Sequence, residues 1–339
     1  MRLLVEVVVR RGSIAESRHH LQCALVDLEG NLASGSETPG IVTTFRSAAK
    51  PFQLLPLVER GHADRWGFSD EQLAVMASSH TGSRYHLTLV SGILERIGAT
   101  PELLVCGYHD PDDSESRDEL FRGSVPRSAL YNNCSGKHAG LLALAISEGW
   151  PVEGYHRPEH PVQQLMRNTV AEACGVAPES LGTAIDGCNV VVFAAPLAVM
   201  ARGFARLASA MARQSGDART VALGRIGRAM TAYPFAVEGK GRTSTALMVA
   251  SGGRLVAKGG AEGLQLVGWT ERGVGLAVKC EDGAGRAVGP AVVGVLEQLG
   301  ALSAAELASL EQVRNPVVTN AAGLDVGTIE AVVREASRA

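Results

Sequence analysis

The sequence predicts a mixed α and β fold (α+β), in which strands from both ends of the chain form one antiparallel sheet and a helical domain is inserted between them. Two observations lead to this prediction. Strand-like segments near the N-terminus, residues 3–10 and 20–35, are followed much later by others in residues 243–280. The region from about 47 to 215 instead has apolar residues at helical spacing. Strands on either side of a helical middle indicate a shared sheet with an insertion.

The N-terminal segments have the composition of strands. Residues 3–10 are apolar but contain Glu6 and are followed by a second arginine, so they are too short and too charged for a signal peptide or a membrane span. Residues 20–35 contain a Gly-Asn pair, which predicts a hairpin. Later stretches never reach eighteen uninterrupted apolar residues. We therefore expect a cytoplasmic protein.

The helical middle consists of six segments with apolar residues on one helical face: "PFQLLPLVERG", "DEQLAVMASSH", "YHLTLVSGILERIG", "KHAGLLALAISEG", "PVQQLMRNTVAEAC" and "PLAVMARGFARLASAMARQ". The late strands are predicted at "TSTALMVAS", "GRLVAKGG", "GLQLVGWT" and "GVGLAVKCEDG", and a helix at "RAVGPAVVGVLEQLG". The predicted domains are therefore residues 1–45 plus 216–339, which contain the sheet, and residues 46–215, which are mostly helical. The active site is expected in the cleft between them.

Composition excludes some partners. The chain of 339 residues has a formal net charge of −3, which provides no attraction for nucleic acid or for an anionic membrane. Aromatic residues make up only 4%, so base-stacking surfaces are not expected. The six cysteines form no C-x-x-C pair, which favours reduced thiols over disulfides: Cys23, Cys106, Cys134, Cys174, Cys188 and Cys280.

The stretch "FRSAAKPFQ" places Ser47 and Lys50 three residues apart, on one face of a helix. Pro51 is tolerated only in a first helical turn, so the helix must begin close to Ser47. Free backbone N–H groups at that end would stabilise negative charge on a nucleophile or an oxyanion, with Lys50 as the base. The alternative is a serine that merely caps the helix. An almost wholly apolar helix after Lys50 favours a buried, functional lysine.

Two further segments could act with this pair. "MASSHTGS" places Ser79 in a hydroxyl-rich turn after an apolar helix, where a hydrogen-bonded turn is the alternative. "LVAKGGAEG" places Lys258 at the end of a strand before two glycines, where an edge lysine that blocks sheet pairing is the alternative. Taken together, the three segments resemble the S-x-x-K, S-x-N and K-T-G motifs of serine β-lactamases and penicillin-binding proteins, although the second and third differ in sequence.

A third group of residues could bind a metal. "YNNCSGKHAG" places Cys134, Lys137 and His138 at the start of a helix, and "AIDGCNVVVF" adds Asp186 and Cys188. Two thiolates with a nitrogen ligand could bind Zn²⁺ and leave a fourth position open. The residues alone leave other interpretations: either Lys137 or His138 as the nitrogen ligand, Cys134 as a nucleophile, or cysteines that are simply buried.

The combination of "FRSAAKPFQ", "SSHTGS", "NNCSGKHAG", "IDGC" and "KGGAEG" resembles the Rhizobium etli-type (class 3) L-asparaginases, over residues 5–280. The resemblance implies a fold similar to that of serine β-lactamases and glutaminases, and a homodimer. It implies two Ser-Lys tandems, Ser47 with Lys50 and Ser79 with Lys258. It also implies a Zn²⁺ held by Cys134, Lys137 and Cys188. The candidates for binding substrate are Arg46, His80, Asp186 and His138.

The predicted activity is hydrolysis of the side-chain amide of L-asparagine through a serine nucleophile. Two other classes of function are kept open. Another Ser-Lys acyl hydrolase, such as a glutaminase, an esterase or a β-lactamase-like peptidase, would use the same nucleophile on a different substrate. A zinc-stabilised binding protein would use the serines and lysines only as caps and edge charges. The sequence does not discriminate asparagine from glutamine, because one methylene changes binding only modestly.

Overall fold

A computed structural model of the chain describes residues 1–36, 38, 40–213 and 215–336. The strands in these residues are β1 (Leu3–Arg11), β2 (Ile14–Val26), β3 (Leu32–Gly35), β4 (Val42–Thr44), β5 (Gly182–Ile185), β6 (Val191–Pro196), β7 (Leu255–Gly260), β8 (Leu264–Trp269), β9 (Val274–Cys280), β10 (Val317–Thr319) and β11 (Asp325–Glu335). The helices are α1 (Lys50–Glu59), α2 (His62–Arg65), α3 (Asp70–Met76), α4 (Arg84–Arg96), α5 (Ser114–Phe121), α6 (Ser135–Ser147), α7 (Pro161–Cys174), α8 (Leu197–Met211), α9 (Ala218–Ala232), α10 (Pro234–Val237), α11 (Thr243–Ala250), α12 (Gly285–Gln298), α13 (Ala304–Ser309) and α14 (Glu311–Arg314).

The chain divides into two compact units. The first comprises residues 1–48, 195–209 and 241–339, and the second comprises residues 49–194 and 210–240. These boundaries differ from the predicted ones, because α8 lies mostly in the first unit and α9 lies in the second.

The first unit is built on an antiparallel sheet whose strands run in the order β10-β11-β1-β2-β9-β8-β7, with β3 paired to β2. Helix α12 packs on β11, β1 and β9. Helix α8 packs on the opposite face, where a Cβ on Gly275 would lie only 1.8 Å from the carbonyl oxygen of Ala201. Glycine at this position therefore permits close contact between helix and sheet. The predicted mixed fold, with an antiparallel sheet built from both ends of the chain, is confirmed.

The second unit is mainly helical. Helix α1 is buried from Lys50 to Val58 and packs against α6, α7 and α9, as its apolar sequence predicted. Helix α3 begins at a capping box formed by Ser69 and Gln72, and ends just before the hydroxyl-rich turn. Strands β5 and β6 pair antiparallel as a hairpin, which sequence periodicity did not reveal.

Most predicted elements agree with the structure, one differs in type, and several strands were not predicted. The Gly-Asn hairpin is confirmed, with the turn lying between β2 and β3. The segment "TSTALMVAS" is helix α11 rather than a strand, and it packs on β7. Its buried residues recur at helical spacing: Ser244, Thr245, Leu247 and Met248. The C-terminal strands β10 and β11 were not predicted. They complete the sheet beyond β1.

All six cysteines are free and buried, as expected of reduced thiols. Among the helices of the described residues, none combines the length and the apolar character that a membrane span requires.

Candidate active site

Ser47 lies in a turn of 3₁₀ helix, Arg46–Ala49, that leads directly into α1. Pro51 occupies the first turn of α1, so the helix begins where the proline predicted. Arg46 adopts a left-handed backbone conformation with φ +46°, which costs energy for a residue with a side chain. Ser47 itself is half-buried. Strain of this kind next to a candidate nucleophile is typical of a functional segment.

In the first unit, Lys258 is fully buried in β7, and its ammonium donates a hydrogen bond to the carbonyl oxygen of Gly259 at 2.9 Å. A Cβ on Gly260 would lie 2.6 Å from the carbonyl oxygen of Phe45. The backbone just before Ser47 therefore runs against the end of the strand that carries Lys258. The glycine pair permits this approach of one backbone segment to another.

In the second unit, Lys50 is the first residue of α1 and is only 1% exposed. Its ammonium donates hydrogen bonds to the Ser79 hydroxyl at 3.0 Å, to the Asn133 carbonyl oxygen at 3.5 Å, and to the Ser78 carbonyl oxygen. Within the second unit, these contacts join Lys50 to Ser79. The pairing of Lys50 with Ser47 stays a prediction from the sequence.

The turn that carries Ser79 is held in place by its backbone and by His80. The backbone N–H of Ser79 donates to the Val237 carbonyl oxygen at 2.8 Å. His80 is buried, accepts a hydrogen bond at Nδ1 from the Gly82 N–H, and contacts the Ser135 hydroxyl with Nε2 at 2.8 Å. Nε2 therefore carries the proton of a neutral ring. Burial, together with neighbouring positive charges, holds the pKa of His80 well below its usual value.

The predicted metal ligands Cys134, Lys137 and Cys188 come together in the second unit, and each is at most 5% exposed. Cys134 directly precedes α6, Lys137 lies in the first turn of that helix, and Cys188 lies in the β5–β6 turn. The Lys137 ammonium donates to the Cys188 sulfur at 2.9 Å. This turn contains Asn189 in a left-handed conformation (φ +72°), which asparagine tolerates better than most residues.

The charges in this cluster favour an ion pair when no metal is bound. A hydrogen bond from the Cys188 thiol, together with the positive charges of Lys50 and Lys137, holds the pKa of Cys134 well below its usual value. Burial disfavours the Lys137 ammonium, but the negative charge at Cys134 and the hydrogen bond to the Cys188 sulfur outweigh burial and raise its pKa.

The donor set fits a zinc ion. Two thiols and an amine converge in a buried space, and thiolate sulfur with nitrogen is the ligand chemistry that Zn²⁺ prefers. Lys137 contacts the Cys188 sulfur directly. His138, the other nitrogen candidate, contacts the Tyr155 hydroxyl through Nδ1 at 2.6 Å, and among the described residues its buried Nε2 has no hydrogen-bond partner.

The remaining candidates occupy different environments. Asp186 is half-buried at the start of the β5–β6 turn, accepts a hydrogen bond from the Gly187 N–H, and helps to raise the pKa of Lys137. His138 is fully buried, and burial holds its pKa well below the usual value. Sequence reasoning missed the Asn133 carbonyl and the Tyr155 hydroxyl as partners. No sequence signal identifies a main-chain acceptor or a partner seventeen positions away.

A groove of about 380 Å³ on the first unit contains none of the predicted site residues and lies over the face formed by β11, β1 and β2. This groove is therefore not the predicted active site, which is identified from its side-chain contacts.

Comparison with known proteins agrees with the sequence resemblance. The chain matches the model of the L-asparaginase II family over residues 7–331. No curated protein sequence matches it. Among solved structures, the chain is similar to Mglu in its Tris and glutamate form, with a TM-score of 0.50 and 16% identity, over 86% of this chain and 62% of that one. Mglu in its glutamate form matches at a TM-score of 0.39 and 15% identity, over 86% of this chain and 64% of that one.

The chain thus spans less than two thirds of the length of the Mglu chains it matches. The first of these similarities supports the mixed α and β fold. The match over residues 7–331 includes every segment that carries the candidate site, and the predicted resemblance is confirmed: the chain belongs to the L-asparaginase II family.

Proposed function

We propose that the chain is an amidohydrolase that converts L-asparagine to L-aspartate and ammonia. Family membership supports hydrolysis of an amide. The observation that carries the proposal is the buried Lys50, whose ammonium contacts the Ser79 hydroxyl at 3.0 Å. A lysine without solvent and with a serine as its neighbour is suited to proton transfer, because burial favours the neutral amine.

The partners of Lys50 determine which proton it can exchange. The carbonyl oxygens of Ser78 and Asn133 can only accept hydrogen bonds. A neutral amine can keep its two N–H groups for these two carbonyls, which leaves its lone pair for a hydroxyl. The Ser79 hydroxyl, which can both donate and accept, is one such partner. Lys50 can therefore exchange a proton with Ser79 as well as take one from Ser47.

In the proposed mechanism, the Ser47 hydroxyl attacks the side-chain carbonyl carbon of asparagine and its proton passes to Lys50. Backbone N–H groups at the start of α1 stabilise the oxyanion. Ser79 and Lys258 deliver a proton to the departing ammonia, and water then hydrolyses the aspartyl ester. The roles of Ser47 and Lys258 are inferred from the sequence resemblance. The role of Lys50 with Ser79 is inferred from their contact.

Cys134, Lys137 and Cys188 would hold the zinc ion that the family resemblance implies. A bound zinc ion would supply an open coordination position for an amino acid's carboxylate oxygen or neutral amino group. Lys137 must be a neutral amine to bind metal, so metal binding releases its proton. The half-buried Arg46 and Asp186 contact the substrate in this proposal.

The two buried histidines lie in a different environment from Arg46 and Asp186. His80 and His138 lie away from solvent and are both held by hydrogen bonds. His80 helps to hold the turn that carries Ser79, and both histidines stay candidates for binding substrate. The homodimer and the cytoplasmic location stay predictions from the resemblance and the sequence.

The test is ammonia release from asparagine by Ser47→Ala, Ser79→Ala and Lys50→Met variants, with Ser180→Ala, an exposed serine, as the matched control. Ser47→Ala and Lys50→Met are expected to lose on the order of 10³-fold or more in kcat, and Ser79→Ala about 10²-fold. Ser180→Ala keeps full activity. Peptide mass spectrometry of acid-quenched enzyme should find the aspartyl ester on Ser47.

Full ammonia release by Ser47→Ala would refute the nucleophile assignment. An ester found on Ser79 would move the attacking group to the serine that Lys50 contacts. A lasting adduct with a β-lactam, combined with no turnover of asparagine, would instead identify one of the other Ser-Lys acyl hydrolases.

A further inference from the structure

A second group of metal-binding side chains lies in the first unit, on residues that the proposed reaction does not use. His19, Cys280 and Asp282 place an imidazole nitrogen, a thiol sulfur and a carboxylate oxygen within 4.8 Å of one another. His19 lies in β2, Cys280 is the last residue of β9, and Asp282 lies in the turn that follows. We propose that these three residues form a binding site for a zinc ion, independent of the proposed asparaginase activity.

The sheet brings the ligands together. Strands β2 and β9 pair with Leu21 opposite Cys280, so His19 reaches the turn just beyond the pair. The backbone N–H of Glu281 continues the pairing by donating to the His20 carbonyl oxygen at 3.0 Å. His19 and Cys280 are both buried. The ligands are therefore already in place before an ion binds, which reduces the entropy that binding must overcome.

The ligands lie at hydrogen-bond distances and must move slightly apart to coordinate an ion. His19 Nδ1 lies 2.6 Å from Asp282 Oδ2, and the Cys280 sulfur lies 3.0 Å from Asp282 Oδ1. Zinc–ligand bonds of about 2.0–2.3 Å imply ligand–ligand separations of about 3.3–3.8 Å at a tetrahedral angle. Small side-chain rotations of this set would make room for an ion. The Ala284 N–H, which donates to Asp282 Oδ1 at 2.9 Å, would continue to orient the carboxylate.

One side of the site is closed and the other is open. A Cβ on Gly263 would lie 2.8 Å from the Cys280 Cβ, so the turn between β7 and β8 covers the cysteine. The Asp282 side chain is 51% exposed, which leaves an entry path and a fourth coordination position for water.

Arg286 competes with the metal. Its Nε donates to His19 Nε2 at 3.2 Å, which places the ring proton on Nδ1, where it donates to Asp282. A metal ion on Nδ1 requires the ring proton to be on Nε2. There it would face the N–H of Arg286, so that two donors would oppose each other. Arg286 must then turn away, and as an exposed side chain it can do so. The Cys280 thiol loses its proton to solvent, so binding weakens as the pH falls.

The test is the zinc content of the full chain after loading and dialysis, compared between wild type and His19→Gln. The matched control is His20→Gln, since His20 is an exposed neighbour on the same strand. His19→Gln is expected to lose one equivalent of zinc and His20→Gln none. With Co²⁺ as the probe, Cys280→Ser should lose part of the thiolate charge-transfer absorption. Arg286→Gln should bind zinc about tenfold more tightly.

Equal zinc content in wild type and His19→Gln, with equal cobalt absorption in wild type and Cys280→Ser, would overturn the proposal. If His19→Gln does not fold, Asp282→Asn provides the same comparison at a half-exposed position. His19→Gln changes only the first unit, so the equivalent of zinc that it loses is distinct from any ion held by Cys134, Lys137 and Cys188. If the protein proved inactive toward asparagine, this difference in zinc content would still test the site.

Discussion

Replacing Gly136 with alanine is expected to destabilise the helical unit, because the added methyl group collides with backbone. Gly136 lies in the first turn of α6, between Cys134 and Lys137. A Cβ at this position would lie 2.2 Å from the carbonyl oxygen of Val75 in α3, and 2.9 Å from its carbonyl carbon. Neither helix can move a main-chain atom aside, so the two must separate by about 1 Å to restore ordinary contact.

The magnitude follows from two opposing effects. Overpacking of this kind costs about 1–3 kcal/mol, and a backbone collision lies at the upper end. Replacing glycine by alanine within a helix returns up to about 1 kcal/mol. The expected net loss is therefore about 2 kcal/mol in the free energy of unfolding. Activity should fall as well, because the displaced segment includes Lys137 in the helix and, just before it, Cys134 and the Asn133 carbonyl that contacts Lys50.

Gly140→Ala is the matched control in the same helix. Its Cβ would lie 3.4 Å from the side chain of Met76, an ordinary contact with a flexible partner. This variant should be as stable as wild type or more stable by up to about 1 kcal/mol. Urea unfolding followed by tryptophan fluorescence measures both variants, since Trp66 and Trp150 lie in the helical unit. If Gly136→Ala proved as stable as Gly140→Ala, the close packing of α3 on α6 would be wrong.

Two further predictions concern stability. Because burial lowers the pKa of His80, the unfolded chain takes up a proton near pH 6.5 that the folded chain does not. The free energy of unfolding therefore falls as the pH drops below 6.5, by at most about 1.4 kcal/mol per pH unit for this residue. In urea titrations, His80→Gln should show a smaller fall between pH 6.5 and 5. The same fall in both proteins would contradict a lowered pKa for His80. Ser69→Ala removes the capping box of α3 and should cost about 1 kcal/mol in the same assay, whereas no change would mean that the cap does not stabilise the helix.

Local sequence signals predicted the elements whose chemistry is local. Pro51 determined where α1 begins, because a proline fits only the first turn of a helix. The Gly-Asn pair indicated the turn between β2 and β3, where Gly30 adopts a positive φ of +92° that glycine tolerates. The apolar run after Lys50 predicted a buried helix, because a helix that is apolar on all sides is stable only inside the protein.

The errors arose where local preference and tertiary packing disagree. The β-branched residues of "TSTALMVAS" suit a strand, but contact with β7 stabilises them as helix α11. Strand β11 was missed because its stability comes from pairing with β1, more than 300 positions earlier in the chain. Neither effect has a signature in a short window of sequence.

The sequence by itself determined which residue types are present for catalysis and metal binding, and the family resemblance assigned roles to them. Only the tertiary structure decided their partners. Lys50 contacts Ser79, 29 positions away, and Lys137 contacts Cys188, 51 positions away. His19 meets Asp282 across 263 positions, and no motif in the sequence indicated that cluster. The physical reason is that hydrogen bonds and ligand geometry depend on distances between side chains, which the folding of the whole chain sets.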